Sequence, residues 1–337
     1  VHPLEDRLCA YIARKMPDAR GLRVNGLERI SGGASRETYR FKLAWDGGER
    51  ALILRRDPPA SLIETERRVE FEAYRAFHGS TVPVPEMLWL EEADEALDYP
   101  FFVAEELTGH QASPQMLLSG AYDAVLPKLA ERKWTILGEI ARADPAALGL
   151  TEVMPPPALD GCWKRELEHW EALIDRDAEG PLPITRAAIR WLRANPPPPA
   201  QKLSVVHGDY RTGNFLFDEA GEIHGVLDWE MAHLGDPLED LGWSLQPVWS
   251  FGREGLAGGL VPEAKAVAVW ERASGLKADP AALKWWILFN CVKGQGIWIG
   301  SAKAFTSGGN RAPIMVYPAW WLINAQDRAM LKVMGRL

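Results

Sequence analysis

Apolar and polar residues alternate with period two over Tyr39, Phe41, Leu43 and Trp45, which predicts a strand with one buried face. Asp46-Gly47-Gly48 then supplies turn residues, and Ala51 to Leu54 returns as the second arm of a hairpin. The stretch from Leu27 to Arg56 therefore reads as strand, Gly/Ser loop and hairpin. From Glu64 to Phe77 the period lengthens, with Val69, Ala73, Ala76 and Phe77 on one side of an amphipathic helix that ends before Gly79. Val82-Pro83-Val84-Pro85 forces an extended break, because proline lacks an N–H and pushes its predecessor out of the helical region. Phe101 to Ala104 reads as one more short strand, closed by Gly109.

Beyond Gly109 the spacing is helical: Trp134, Leu137 and Ala141 recur on one face, then Trp163, Leu167, Trp170 and Ile174 on another. Pro155-Pro156-Pro157 and Pro196 to Pro199 cannot lie inside helices and read as stiff connectors. Strand-like runs return between Leu203 and Trp229, and long apolar helices fill the chain from Glu263 onward. This order predicts an α+β protein of two lobes. Residues 1–108 form a small antiparallel β lobe with a helix, and residues 109–337 a larger, mainly helical lobe.

A length of 337 residues fits two such bodies at roughly 150 residues each. The 38 basic and 46 acidic residues leave a formal charge of −8, so the chain as a whole has no electrostatic attraction for nucleic acid or an anionic membrane. Cys9, Cys162 and Cys291 are odd in number and far apart, which predicts three free thiols in a reducing cytoplasm. Val1 to Arg20 holds no apolar run of signal-peptide length, and the start at Val1 leaves room for an upstream piece. Trp285 to Val292, ended by Lys293, falls far short of the roughly 20 residues of a membrane span. The fifteen tryptophans mostly sit at helical spacing among aliphatics and read as core.

The chemistry concentrates in Val205-Val206-His207-Gly208-Asp209-Tyr210-Arg211-Thr212-Gly213-Asn214 and in Val226-Leu227-Asp228-Trp229-Glu230, each following a short apolar strand. Phosphoryl transfer asks a protein mainly to hold nucleophile and phosphate in line and to neutralise charge. Asp209 on a loop can orient an alcohol and accept its proton. Asn214 and Asp228 offer hard oxygens suited to Mg2+. The interval from Asp209 to Asn214 matches the catalytic loop of kinases.

On these residues the chain resembles the aminoglycoside phosphotransferase and choline kinase-like family, which shares the protein kinase fold. Gly235-Asp236-Pro237-Leu238-Glu239-Asp240-Leu241 is similar to the branch that resembles the kinase-like domain attached to some acyl-CoA dehydrogenases. The resemblance, spanning roughly Leu27 to Trp243, implies ATP and Mg2+ as cofactors and transfer of phosphate to a hydroxyl of a small molecule. Asp209 would be the catalytic base, with Asn214 and Asp228 at the metal. Ser31-Gly32-Gly33-Ala34-Ser35 would cover the phosphates through backbone N–H groups, without a GxGxxG pattern. Arg55 occupies the place of the strand lysine that holds phosphate, and Glu70 that of its ion-pair partner, with Glu72 as the alternative. A guanidinium is longer than an ammonium and planar, so the exchange departs from the family pattern. Glu105-Glu106-Leu107 looks like the hinge that receives the adenine edge, although solvated charge is an equal reading of the two glutamates.

His207 reads as a packed, loop-shaping residue rather than a proton shuttle. Asp236, before Pro237 and with Glu239 reaching back, has the makeup of a helix cap. Asp240 either supports the catalytic loop or faces solvent. The short run from Asp228 to this helix leaves no platform for a peptide, which favours a small acceptor. Asn290 and Lys293, sharing a helical face with Trp286, together with Glu230, are candidate acceptor contacts. The competing reading, motivated by Arg55 and the irregular glycine loop, is a nucleotide-binding pseudokinase serving as an interaction module. Acceptor identity, ATP against GTP and oligomeric state stay open at this level.

Overall fold

A computed structural model describes residues 3–30, 37–57, 67–93, 95–311 and 313–337. Strands β1 (Arg23–Arg29), β2 (Glu37–Trp45), β3 (Gly48–Arg56), β4 (Met87–Glu91) and β5 (Phe101–Glu105) form one antiparallel sheet in the order β1-β2-β3-β5-β4. The β2–β3 register pairs Tyr39 with Leu54, Phe41 with Leu52 and Trp45 with Gly48, so Asp46 and Gly47 are the hairpin loop. That register puts Tyr39, Phe41, Leu43, Leu52 and Leu54 on one buried face with Phe101 and Val103 of β5. Helix α1 (Pro3–Lys15) covers this face through Leu4, Leu8, Tyr11 and Ile12, whose spacing is helical although the sequence reading assigned no element there. Helix α2 (Arg67–Phe77) lies between the lobes: Phe71 packs with Phe102 and Ala104 of the sheet, while Ala73, Tyr74 and Phe77 join the larger core.

The second lobe runs α3 (Pro114–Leu117), α4 (Leu126–Arg142), α5 (Cys162–Asp177) and α6 (Pro183–Ala194) before a pair of short ribbons. In these, β6 (Ser204–Val206) pairs with β9 (His233–Gly235), and β7 (Phe215–Phe217) with β8 (Ile223–Val226), both antiparallel. Then follow α7 (Leu238–Leu245), the ribbon β10 (Leu256–Ala257) and β11 (Val261–Pro262), and helices α8 (Glu263–Ser274), α9 (Pro280–Thr306) and α10 (Pro313–Val333). Both proline runs lie outside helices, as their chemistry requires. Helix α9 starts cleanly because Asp279 accepts the N–H of Ala282 at 2.8 Å and Pro280 needs no donor partner. Trp134, Trp229, Trp243, Trp270, Trp285 and Trp286 are fully buried, which bears out the reading of tryptophan as core, whereas Trp320 and Trp321 on α10 are exposed. Helices α7 and α9 touch backbone to backbone at Gly242, where a Cβ would lie 2.9 Å from the Trp286 carbonyl carbon. The three cysteines are free thiols. Among the described residues, no helix is long and apolar enough to cross a membrane.

Candidate active site

Two antiparallel ribbons bring the two motif segments to one place. Because Phe215 pairs with Val226, Asn214 at the start of β7 and Asp228 just past β8 emerge at the same end of that ribbon. The Leu227 N–H donates to the Asn214 carbonyl at 2.8 Å, and His207 Nε2 meets the Leu227 carbonyl at 2.9 Å, so both loops are tied together. His207 Nδ1 accepts the Asp209 N–H at 3.1 Å. Burial depresses the imidazole pKa to about 4, leaving a neutral ring with both nitrogens engaged, in keeping with a loop-shaping role.

Asp240 in the first turn of α7 accepts the N–H of His207 at 2.6 Å and of Gly208 at 2.9 Å. Of the two readings the sequence left open, support of the catalytic loop is the one the geometry selects. Gly208 has φ +85°, and a Cβ there would sit 2.5 Å from the Met231 carbonyl oxygen, so the turn admits glycine alone without rearrangement. Asp209 then projects its carboxylate into a fixed set of donors. Asn214 Nδ2 approaches Oδ2 at 2.6 Å, Trp243 Nε1 donates to Oδ1 at 2.8 Å, and Arg211 Nε lies 3.1 Å from Oδ1. Burial pushes the Asp209 carboxyl above the ordinary range and the Asp228 charge adds to this, while Arg211, Asn214 and Trp243 hold it down. The result is an oriented carboxylate of raised basicity, suited to accepting a proton.

Arg55 on β3 reaches across the cleft. Its Nη1 lies 2.5 Å from Glu70 Oε1 and 3.1 Å from Asp228 Oδ1, and Nη2 is 3.7 Å from Glu230 Oε2. Glu70 is fully buried, and Glu72 pairs instead with Arg75, so Glu70 is the partner the geometry selects. Asp228 adopts a left-handed backbone at φ +63°, with its N–H donating to the Tyr74 hydroxyl at 2.8 Å. For magnesium the donor set fits: the Asn214 amide nitrogen is committed to Asp209 through both its carbonyl and its carboxylate, which leaves the amide oxygen as a hard ligand. The Asp228 side chain is 45% exposed and supplies a carboxylate beside it.

Other expected contacts fall elsewhere. Ser31, Gly32, Gly33, Ala34 and Ser35 lie outside the described residues. Glu105 ends β5 with its carboxylate accepting the Glu86 N–H at 3.2 Å; the Glu106 N–H donates to Ala51, and Leu107 follows half-buried. Glu230 faces Arg55, its Oε2 3.7 Å from Nη2. Asn290 and Lys293 do not line an open cleft. Both are buried, with Asn290 Nδ2 donating to the Glu239 carbonyl at 2.8 Å and Lys293 Nζ to the Gly208 carbonyl at 2.8 Å. Glu239 does not reach back as a cap; its carboxylate turns inward to Lys293 at 3.0 Å and His233 at 3.0 Å. Asp236 has the structural part, accepting the Leu238 N–H at 2.9 Å and the Trp286 indole N–H at 3.1 Å.

Trp243, Arg211, Tyr74 and Lys133 escaped the sequence reading. A tryptophan inside an apolar run gives one cue only, an indole N–H that needs a partner when buried. Lys133 on α4 is wholly buried beneath the catalytic loop, its Nζ 3.1 Å from Ser244 Oγ and 3.9 Å over the Trp134 ring, and burial lowers its pKa to about 7.

Comparison with known proteins places this architecture. The mouse acyl-CoA dehydrogenase family member 10 is 28% identical over 216 residues, covering 63% of this chain and 19% of the relative; the chicken family member 11 is 27% identical over 230 residues, covering 65% and 28%. This chain thus spans less than a third of the length of those relatives. Hygromycin-B 4-O-kinase of Escherichia coli is 27% identical over 227 residues, covering 63% of this chain and 60% of that one. A crystal structure from Ralstonia eutropha, provisionally described as an aminoglycoside phosphotransferase, superposes with a TM-score of 0.73 at 22% identity over 98% of both chains. A thermostable mutant of aminoglycoside phosphotransferase APH(4)-Ia, in complex with AMP-PNP and hygromycin B, superposes with a TM-score of 0.58 at 20% identity over 98% of this chain and 99% of that one. The fold they share is the two-lobed, kinase-like α+β fold. A family model covering residues 26–286, both of these ribbons and most of the sheet included, establishes that this chain belongs to the phosphotransferase enzyme family.

Proposed function

We propose that the chain moves the γ-phosphate of ATP, with Mg2+, to a hydroxyl of a small molecule, with Asp209 as the base. The observation that carries this reading is the Asp209 carboxylate held by Asn214, Trp243 and Arg211 while Asp228 emerges at the same ribbon end as Asn214. In this reading Asp209 orients the acceptor hydroxyl and takes its proton as the oxygen attacks phosphorus. Asn214 and Asp228 would hold the metal, which when bound neutralises charge on the phosphates. Arg55, anchored by Glu70, turns its guanidinium toward the phosphates, and Ser31 to Ser35 would close over them. Glu105 and Leu107 flank the proposed adenine edge. The named acceptors of relatives, hygromycin B among them, put an aminoglycoside on the panel beside amino alcohols, sugars and hydroxyacyl compounds.

The test is magnesium-dependent ADP formation over such a panel, with Asp209→Ala as the control. Turnover should fall by about 10²–10⁴-fold in a variant whose melting curve is intact. Unchanged turnover in that variant would remove Asp209 from the role. One observation favours a second reading: Arg55 engages Asp228 at 3.1 Å, a guanidinium where the metal carboxylate would serve. A nucleotide-binding module without transfer activity would bind ATP and form no ADP with any acceptor, water included.

A further inference from the structure

We propose that Lys293 is a positioning residue for the catalytic carboxylate, acting from behind the loop through Gly208 and Trp243. The proposal rests on Asp209 being the base.

Lys293 sits in the middle of α9 with 1% of its surface exposed, between Val292 and Gly294 and opposite α7. A buried ion pair is seldom more stabilising than apolar residues of the same volume, so core packing gives no reason for a lysine at this place. The contacts supply one. Its Nζ donates to the Gly208 carbonyl at 2.8 Å and lies 5.1 Å from the centre of the Trp243 ring. Gly208 is the residue before Asp209, and Trp243 is the donor to Asp209 Oδ1. One ammonium therefore touches both arms that place the base, its backbone entry and the indole that orients it.

The Gly208 peptide groups have no slack. The N–H goes to Asp240 on α7 and the carbonyl to Lys293 on α9, so two helices clamp the residue whose φ of +85° aims Asp209. Lys293 is itself steered by Glu239 Oε1 at 3.0 Å, and the other Glu239 oxygen is held by His233 Nε2 at 3.0 Å. Glu166, His233 and Glu239 have ligand atoms close enough together for a metal ion. Arg165 at 2.9 Å from Glu166 and Lys293 on Glu239 already neutralise both carboxylates, so the cluster is charge-balanced by side chains alone. Loss of Lys293 would leave Glu239 paired with His233, so the loop can loosen without stranding a lone buried charge.

The experiment compares Lys293→Met, Lys293→Arg and the double variant Lys293→Met/Glu239→Gln in the full chain. Two readouts are taken: hydrogen exchange of residues 204–214 by mass spectrometry, and kcat and KM for ATP with the best acceptor, or with water where no acceptor is found. The Met variant should exchange this segment at least about ten-fold faster, with the β2–β3 hairpin unchanged, because only the local clamp is opened. Its kcat should drop by about 10- to 100-fold while both KM values stay within about two-fold, the pattern of a misaimed catalytic group. Lys293→Arg, still a donor, should recover part of kcat. The double variant removes both charges, keeps the test alive if the single variant misfolds, and should show the same slow turnover. Wild-type exchange of 204–214 in a folded Met or double variant overturns the proposal, as does a kcat loss no larger than the loss of folded protein. Absence of transfer by the unsubstituted chain overturns the base assignment and the proposal with it, and that result is read without either variant.

Discussion

The indole N–H of Trp243 donates to Oδ1 of Asp209 at 2.8 Å, linking the interior of α7 to the carboxylate at the centre of the site. Asn214 occupies the other oxygen, so the two donors fix the plane of the carboxylate. A hydrogen bond to a charged group is worth roughly 1.5–3 kcal/mol.

Trp243→Phe keeps the ring and deletes the donor. We expect kcat to fall by about 10- to 100-fold, the rate equivalent of that bond, with little change in melting temperature. Removing a donor to the ionised form also raises the Asp209 pKa, so the acid limb of the kcat/KM profile should move to higher pH. A variant with the wild-type acid limb and turnover would show that the indole bond does not orient Asp209 for the proposed reaction.

The placement of Asn214 and Asp228 was legible in the sequence because it is local. Both sit at ends of short apolar strands, and pairing of those strands brings them to one ribbon end, with Asp209 on the loop that leads into it. The β2–β3 hairpin was equally readable from period two and the turn residues Asp46-Gly47-Gly48, of which the register leaves Asp46 and Gly47 as the loop. What the sequence left open was what a polar residue on a helical face meets. Asn290 and Lys293 share a helical face, as spacing requires, but spacing does not say what that face meets; it meets α7 through Glu239, not an open cleft. Glu239 has the position of a cap residue, yet the buried charges of Lys293 and His233 outweigh a partial helix charge and draw it inward.

Arg55 bridges Glu70 and Asp228, which makes its substitutions separable by chemistry. Arg55→Met takes a guanidinium from the fully buried Glu70, and we expect a loss of about 1.5–3 kcal/mol in unfolding free energy. Arg55→Met/Glu70→Met removes both charges and should regain part of that stability while nucleotide affinity stays lost. Arg55→Lys should keep the Glu70 pair but give up the fork that also reaches Asp228, raising the KM for ATP with a smaller stability cost. Denaturant melts and nucleotide titration on all three decide it; ATP affinity restored in the double variant would count against Arg55 as a phosphate contact.

Lys133 and His233 impose opposite pH slopes on stability. Burial lowers Lys133 from 10.5 to about 7, so between those values the unfolded chain binds more protons and stability rises with pH. For His233, burial alone would lower the pKa, but Glu166 and Glu239 override it and raise it from 6.5 to about 9. Its stabilisation is therefore full below 6.5 and lost as pH climbs through 9. From pH 7 to 9 the two slopes offset each other in the native protein. Lys133→Met removes one of them and leaves Ser244 Oγ on the Tyr210 carbonyl at 2.7 Å. The variant should be more stable at pH 7 by about 2–4 kcal/mol, since each unit of depressed pKa costs about 1.4 kcal/mol. That advantage should shrink as pH rises toward 10, exposing the falling His233 limb. Urea unfolding at intervals from pH 6.5 to 9.5 measures the difference, and parallel pH profiles for the two proteins would mean that Lys133 stays charged in the folded state.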